Sequence, residues 1–133
     1  MAIFKGAGVA IITPMKDDCE VNYDKLEEII DEQIREGTDA IVICGTTGES
    51  ATLSMEEHRD VIKAAIAFTK GRDPVVAGTG SNATATAIQL TKDAEEDGAD
   101  AALIVTPYYN KASQNELISH YSMIADETSY YYV

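Results

Sequence analysis

Two adjacent threonines follow directly on an apolar, β-branched run. Residues 40–44 read Ala-Ile-Val-Ile-Cys, and residues 45–50, which we call the threonine loop, read Gly-Thr-Thr-Gly-Glu-Ser. This change in composition predicts a buried strand that ends in a tight polar loop. Glycine lets a ligand approach the backbone closely, and the hydroxyls of Thr46 and Thr47 both donate and accept hydrogen bonds. The threonine loop is therefore a candidate binding site.

A pair of tyrosines follows another apolar run further along the chain. Residues 106–110 read Thr-Pro-Tyr-Tyr-Asn, so Tyr108 and Tyr109 are predicted to lie at a strand end. Tyrosine suits half-hydrated contacts, and the segment taken alone favours two surface or interface aromatics. The functional alternative is a phenol that is hydrogen-bonded to the threonine loop and passes protons.

Other segments that could suggest a functional site are more simply interpreted as structural. Residues 78–82 read Gly-Thr-Gly-Ser-Asn, but they lack the ending of a nucleotide-binding loop and the third glycine of a dinucleotide fingerprint, so a structural turn is predicted. His58 and His120 fall on predicted helices, where packed or solvated histidine is expected. The acidic residues 93–97 are expected to form a solvated helix face. No Cys or His pair has metal-ligand spacing, and neither a metal nor a cofactor is predicted.

The seven lysines do not mark an obvious nucleophile. Four of them belong to predicted helices, and the others flank the first predicted strand or follow the tyrosine pair. None falls within a predicted strand, where burial would lower the pKa of an amine toward the range useful in catalysis.

Length, charge and cysteine usage narrow the class of protein. The 133 residues suit one domain, 1–133, and an apolar content of 45% indicates a globular chain. The formal charge of −13 disfavours nucleic acid and anionic membranes as partners, and no apolar run reaches the roughly 20 residues of a spanning helix. Cys19 and Cys44 lie in polar and apolar surroundings respectively, so no disulfide is expected. Together with the lack of a long apolar segment near residue 1, this predicts a cytoplasmic protein.

Apolar residues along the chain follow two alternating patterns, and these patterns predict the strands and helices that position the candidate residues. Continuous apolar runs predict strands, and longer segments with apolar positions three and four apart predict amphipathic helices. Ser54, with Glu57 three residues later, predicts a capping box, and Gly37 and Gly98 each follow a helix. The predicted strands cover residues 8–14, 40–44, 74–77 and 101–105, with the start of a fifth at 130–133. The predicted helices cover residues 23–36, 83–96 and 114–127, together with one that begins after Ser54.

Apolar strands separated by helices predict an α/β protein with parallel pairing through helical crossovers. The periodicity is compatible with an open doubly wound sheet or with part of a closed barrel. The polar segments favour the barrel, because Thr13-Pro14, the threonine loop, and residues 78–82 and 106–110 all follow strands. An open sheet would more often concentrate its ligands at one switch point.

Taken together, these segments resemble the dihydrodipicolinate synthase family of pyruvate-dependent class I aldolases. The wider family shares a Gly-[Ser/Thr]-Thr-Gly-Glu core; Thr46 and Ser50 in that core, with the tyrosine pair, favour the synthase over N-acetylneuraminate lyase. The resemblance runs from residue 4 to about residue 128 in the expected order. It rests on Phe4-Lys5-Gly6, Ile12-Thr13-Pro14, residues 45–53, Glu57-His58, residues 78–82 and residues 106–111.

The resemblance implies the N-terminal half of a (β/α)8 TIM barrel, with about four βα units and the start of strand five, in a homo-oligomer. It implies that pyruvate forms a Schiff base with a barrel lysine, and that the enamine attacks aspartate 4-semialdehyde in lysine biosynthesis. Carried over by position, Thr47 binds the pyruvate carboxylate and Thr46 is the central hydroxyl of a proton relay. Tyr109 is the relay member that reaches the neighbouring subunit's site.

Departures from the family restrict what this chain is expected to do alone. The family's Schiff-base lysine lies near the end of the sixth strand, and this chain ends in the fifth, so we expect it to be inactive by itself. The family's second relay tyrosine would fall just beyond Val133, and Tyr132 is a candidate to replace it. The alternatives are a non-catalytic half-barrel that self-associates or binds small oxo-acids, another pyruvate-dependent aldolase such as N-acetylneuraminate lyase, and a rearranged flavodoxin-like sheet.

A regulatory expectation follows from a second set of positions. Feedback-sensitive members of the family hold lysine at the dimer interface, with a His at position 55 and a Glu at position 86. This chain has Met55 and Thr86 instead, so no carboxylate is available for the lysine ammonium, and weak or absent lysine inhibition is expected in a full-length parent. The remaining positions of that site match the family pattern, with Ser50, Ala51, His58, Asn82 and Tyr108.

Overall fold

A parallel four-stranded sheet forms the centre of the molecule. The computed structural model describes residues 2–133. The spatial order of the strands is their order in the chain, and all neighbours are parallel. Residues 131–133 add the start of a fifth strand, because the Ala102 amide donates to the Tyr131 carbonyl and the Val133 amide donates to the Ala102 carbonyl, each over 2.9 Å. The strands are β1 (Gly8–Ala10), β2 (Ala40–Ile43), β3 (Val75–Gly78) and β4 (Ala101–Leu103).

Four helices alternate with the strands, and their ends follow local sequence signals. The Ser54 hydroxyl accepts from the Glu57 amide while the Glu57 carboxylate accepts from the Ser54 amide, which confirms the predicted capping box. A second such box, formed by Ser113 and Glu116, was not predicted. The helices are α1 (Tyr23–Arg35), α2 (Met55–Thr69), α3 (Thr84–Asp97) and α4 (Gln114–Glu127).

The core lies between the sheet and the helices. Ile41 and Ile43 of β2 are fully buried and pack in one cluster with Leu26 and Ile30 of α1 and Val61 of α2. Each helix contacts the next one along the chain, so the helices form a single layer over the strands. A sheet in chain order with one helical layer is the architecture of half a (β/α)8 barrel, and it rules out the rearranged flavodoxin-like sheet.

The first strand and the acidic end of α3 differ most from their predictions. The first strand was predicted to cover residues 8–14 but ends at Ala10. The Ile11 amide still donates to the Val42 carbonyl, whereas Pro14 has no amide hydrogen with which to continue a ladder. Residues 93–97 are not simply a solvated face, because the Arg59 guanidinium of α2 binds the carboxylates of Asp93 and Asp97, whose side chains are only 17% and 8% exposed. These ion pairs join α2 to α3.

Candidate functional site

The threonine loop leaves β2 through a sharp change of backbone direction. Cys44 has φ of 54°, in the left-handed region that is unfavourable for a residue with a side chain. The Gly48 amide then donates to the Gly45 carbonyl, and the Glu49 amide donates to the Thr46 carbonyl, each over 3.1 Å. These overlapping turns bury both glycines and leave Thr46 and Thr47 exposed. The loop thus presents two neighbouring hydroxyls at the carboxyl end of the sheet.

A hydrogen bond from the neighbouring strand segment holds this loop. The Thr13 hydroxyl donates to the Gly48 carbonyl over 2.7 Å, and both residues are buried. Gly48 is tightly enclosed, since a Cβ atom there would lie 3.2 Å from both the Thr13 Oγ1 and the Cys44 amide nitrogen. Sequence reasoning placed Thr13 at a strand end but missed this contact. The available signal was a polar residue directly before Pro14, at the end of the strand adjacent to β2.

Glycines after β3 allow the strand ends to approach one another. A Cβ atom on Gly78 would lie 2.2 Å from the Cys44 carbonyl oxygen, and one on Gly80 would lie 2.5 Å from the Val105 amide nitrogen. Such distances exclude any side chain at either position unless the backbone moves. The glycines of residues 78–82 therefore serve close backbone packing, which agrees with the structural turn predicted for this segment.

The two tyrosines occupy different surroundings. Tyr108 lines a cavity of about 180 Å³ together with Thr46, Ser50 and Val105, whereas Tyr109 has φ of 69° and a side chain that is 98% exposed. Among residues 2–133, neither phenol forms a hydrogen bond with the threonine loop. The structure brings Tyr108, rather than Tyr109, next to Thr46 within this chain.

Tyr132 does not replace the missing relay phenol. Its hydroxyl contacts the hydroxyl of Thr128, which follows the carboxyl end of α4. Helices run opposite to the strands, so this contact lies toward the end of the sheet away from the threonine loop. The prediction that Tyr132 can replace the relay tyrosine was wrong, because its phenol contacts Thr128 in the helical layer.

A second cavity, of about 140 Å³, lies beside the threonine loop. Its lining includes Ser50, Met55, Thr86 and Tyr108, together with His58. His58 is buried, and its Nε2 lies 2.8 Å from the Gly78 carbonyl oxygen. Since a carbonyl only accepts, Nε2 carries the proton, and burial lowers the pKa of this imidazole. Six of the seven positions of the predicted regulatory site therefore line this cavity, whereas Asn82 lines a neighbouring one.

His120 also packs inside the protein rather than facing solvent. It is only 5% exposed, and its Nδ1 lies 2.9 Å from the Thr84 hydroxyl. Desolvation by burial lowers its pKa. Both histidines are therefore packed, in agreement with one of the two expectations from the sequence.

The part of the chain that the structure describes has no buried lysine and no cluster of metal-ligating side chains. Six of the seven lysines are exposed and Lys92 is half-buried, so none lies in the protein interior. Burial raises the pKa of the Cys44 thiol to about 12, which opposes thiolate formation. Cys19 and Cys44 are both free. Residues 2–133 contain no cluster of metal-ligating side chains and no helix that meets the length and apolarity needed to cross a membrane.

Comparison with known proteins gives consistent matches. The model of the Dihydrodipicolinate synthetase family matches residues 3–133. A 4-hydroxy-tetrahydrodipicolinate synthase from Lachnoclostridium phytofermentans is 65% identical over 125 residues, which cover 94% of this chain and 42% of that relative. This chain therefore spans less than half the length of that relative.

Solved structures show the same partial overlap. A chloride-inhibited dihydrodipicolinate synthase from Acinetobacter baumannii, complexed with pyruvate, superposes with a TM-score of 0.95 at 50% identity, over 98% of this chain and 45% of that one. A monomeric dihydrodipicolinate synthase variant superposes with a TM-score of 0.93 at 37% identity, over 98% of this chain and 43% of that one.

Proposed function

The chain belongs to the dihydrodipicolinate synthetase family, a family of lyases, and from that premise we propose that it is the N-terminal portion of a 4-hydroxy-tetrahydrodipicolinate synthase. The proposed reaction condenses pyruvate with aspartate 4-semialdehyde, through a Schiff base, in lysine biosynthesis. One observation of the structure carries this proposal. The threonine loop presents Thr46 and Thr47 side by side at the carboxyl end of β2, the end at which TIM barrels bind substrates.

Each proposed role uses a property of its side chain. Thr47 donates its hydroxyl hydrogen to the carboxylate of pyruvate, which fixes the orientation of the keto group. Thr46 stands at the centre of a proton relay, because a neutral hydroxyl accepts one proton while donating another. Tyr109, whose side chain is 98% exposed, extends away from its own chain toward the site of a neighbouring subunit. Pyruvate is the bound ligand named for the Acinetobacter baumannii enzyme, which supports this choice of substrate.

The imine-forming lysine of the proposed reaction comes from outside residues 1–133. Imine formation requires a neutral amine, and the lysines of the described residues are exposed or half-buried. The chain therefore supplies the carboxylate-binding and relay hydroxyls but no nucleophile. We propose that the 133-residue chain is inactive by itself.

An apolar surface at the fifth strand is the proposed contact for the remaining βα units of the barrel. A cavity of about 370 Å³ is lined by Ile104, Tyr121, Ala125, Tyr132 and Val133. It lies between β4, the start of the fifth strand and α4, where the helix after the fifth strand packs in a (β/α)8 barrel.

We also propose that the protein forms a homo-oligomer in the cytoplasm. The exposed Tyr109 supports association because its phenol lacks any partner among residues 2–133. The free thiols of Cys19 and Cys44 support a reducing compartment.

A chimeric enzyme tests the proposed function. The aligned N-terminal residues of the Lachnoclostridium phytofermentans synthase are replaced by those of this chain, and condensation of pyruvate with aspartate 4-semialdehyde is measured. We expect activity within about tenfold of the unmodified relative, and a loss of about 100-fold or more in kcat for Thr46→Val. A folded chimera without activity would refute the proposed function.

A second candidate function is a self-associating, non-catalytic half-barrel. Ile12 and Val105, which follow β1 and β4, are 53% and 42% exposed, and β1 has a free edge. Exposed apolar residues and free edges favour pairing between two copies. Sedimentation of the isolated chain separates the candidates, because a cooperative, soluble monomer would contradict self-association.

A further inference from the structure

We infer that Thr13 is a positioning residue for the substrate-binding threonines, an inference that rests on the proposed function. Thr13 lies beyond the end of β1, whereas Thr46 and Thr47 lie beyond the end of β2. Its hydroxyl donates to the Gly48 carbonyl over 2.7 Å, across 35 positions of sequence. Through this bond one strand segment determines the position of the loop that follows its neighbour.

Burial and hydrogen bonding together restrict the position of Gly48. Gly48 is buried, and Thr13 is 6% exposed, so water does not readily replace the hydroxyl as donor. The Gly48 amide is itself bonded to the Gly45 carbonyl. Both backbone groups of this glycine are therefore used, one inside the loop and one toward Thr13.

The two exposed threonines depend on these buried anchors. Thr46 and Thr47 form no side-chain hydrogen bond within the described residues, so the position of the loop backbone sets where their hydroxyls lie. That backbone is held at Gly45 by the end of β2 and at Gly48 by Thr13. A displacement of Gly48 therefore moves the hydroxyls relative to a bound 2-oxo acid such as pyruvate.

The substitution Thr13→Val removes this hydrogen bond with the least change in side-chain shape. It keeps the shape of threonine but places a methyl group where the hydroxyl stood, 2.7 Å from the Gly48 oxygen. A carbon atom does not fit at that distance and donates no hydrogen bond, so the loop must shift and its buried carbonyl loses its donor. Serine at position 13 keeps the hydroxyl and is the conservative variant.

The chain offers a matched control for the loss of a buried threonine hydroxyl. Thr69 is 1% exposed, and its hydroxyl donates over 2.8 Å to the Ala65 carbonyl within α2. It lies at the far end of that helix from the threonine loop. Thr69→Val removes the same kind of hydrogen bond without touching the candidate site.

The experiment has a kinetic arm and a structural arm. In the chimeric synthase, we expect Thr13→Val to raise the pyruvate KM about tenfold or more and to change the KM for aspartate 4-semialdehyde less, because the loop holds the pyruvate carboxylate. Thr13→Ser should restore the pyruvate KM to within about twofold of the unmodified chimera. A pyruvate KM that Thr13→Val leaves unchanged, or that Thr13→Ser raises equally, would overturn the inference.

Hydrogen exchange supplies the arm that does not depend on catalysis. In the 133-residue chain and in the chimera, we expect exchange at Gly48 and Glu49 to be about tenfold faster in Thr13→Val than in Thr69→Val. Equal rates in these two variants would show that Thr13 does not hold the loop. An inactive but folded unmodified chimera refutes the proposed function, and the exchange rates then decide alone whether Thr13 holds the loop.

Discussion

The Nε2 atom of His58 lies 2.8 Å from the carbonyl oxygen of Gly78, which joins the first turns of α2 to the end of β3. The bond requires the neutral, Nε2-protonated imidazole or its cation, and burial disfavours the cation. One side chain thereby connects the helix that follows the threonine loop with the strand next to β2.

The stability of the chain should fall as the pH decreases below the ordinary histidine pKa of about 6.5. Desolvation lowers the pKa of His58, although the Gly78 carbonyl and the charge of Asp93 act in the opposite direction. Burial lowers the pKa of His120 as well. The unfolded chain then binds protons first, so the contribution to stability is complete above pH 6.5 and decreases below it.

Urea unfolding of the chain, followed from about pH 7.5 to pH 5, measures this effect. We expect a smaller pH dependence in His58→Gln, whose amide also donates to a carbonyl but does not titrate in this range. An identical slope in the two proteins would show that His58 does not contribute.

Gly78→Ala should destabilise the fold strongly, because the new Cβ atom would lie 2.2 Å from the Cys44 carbonyl oxygen. We expect a loss of about 1–3 kcal/mol or more in the free energy of unfolding. Gly45→Ala is the matched control, since its Cβ atom meets only side-chain atoms at 3.9 Å. Chemical denaturation of both variants gives the comparison, and equal losses would contradict the close approach of β2 and β3.

Tyr109→Phe should reduce activity without reducing stability. The phenol forms no hydrogen bond within the described residues and its side chain is 98% exposed, so the fold does not depend on it. In the chimeric synthase, loss of a proton-relay hydroxyl should lower kcat about 100-fold or more. Tyr23→Phe, at the exposed start of α1, is the control and should leave kcat unchanged. Equal kcat values for the two variants would remove Tyr109 from the relay.

Lysine should inhibit the chimeric synthase weakly. Met55 and Thr86 line the cavity of about 140 Å³ beside the threonine loop, and neither carries a charge that pairs with an ammonium group. Combining Met55→His with Thr86→Glu should lower the lysine concentration needed for half-inhibition about tenfold or more, because it adds a carboxylate to that cavity. Strong inhibition of the unmodified chimera by millimolar lysine would contradict the proposal.

Much of the fold is predictable from local sequence patterns. Apolar periodicity predicted the four helices, and Ser54 with Glu57 predicted the start of α2 correctly, because capping depends on residues three positions apart. The chain-order parallel sheet follows from short apolar runs separated by helices. Strand ends were less predictable, as the early end of β1 shows, because they depend on pairing with a neighbour.

The candidate site was only partly predictable for the same physical reason. Thr46 and Thr47 were visible because they are adjacent in the sequence and exposed on one loop. The bond from Thr13 to Gly48 depends on the register of two strands, which a single sequence does not display. The difference between Tyr108 and Tyr109 likewise depends on the left-handed backbone of Tyr109, which is a three-dimensional property.

Trapping with sodium borohydride tests most directly whether this chain supplies half of an aldolase site without its nucleophile. The isolated chain and the chimeric synthase are each incubated with pyruvate, reduced, and mapped by peptide mass spectrometry. We predict no adduct on any of the seven lysines of this chain, and one adduct in the chimera, on a lysine contributed by the relative. Hydride reduction of a pyruvate imine on a lysine of this chain would contradict the account.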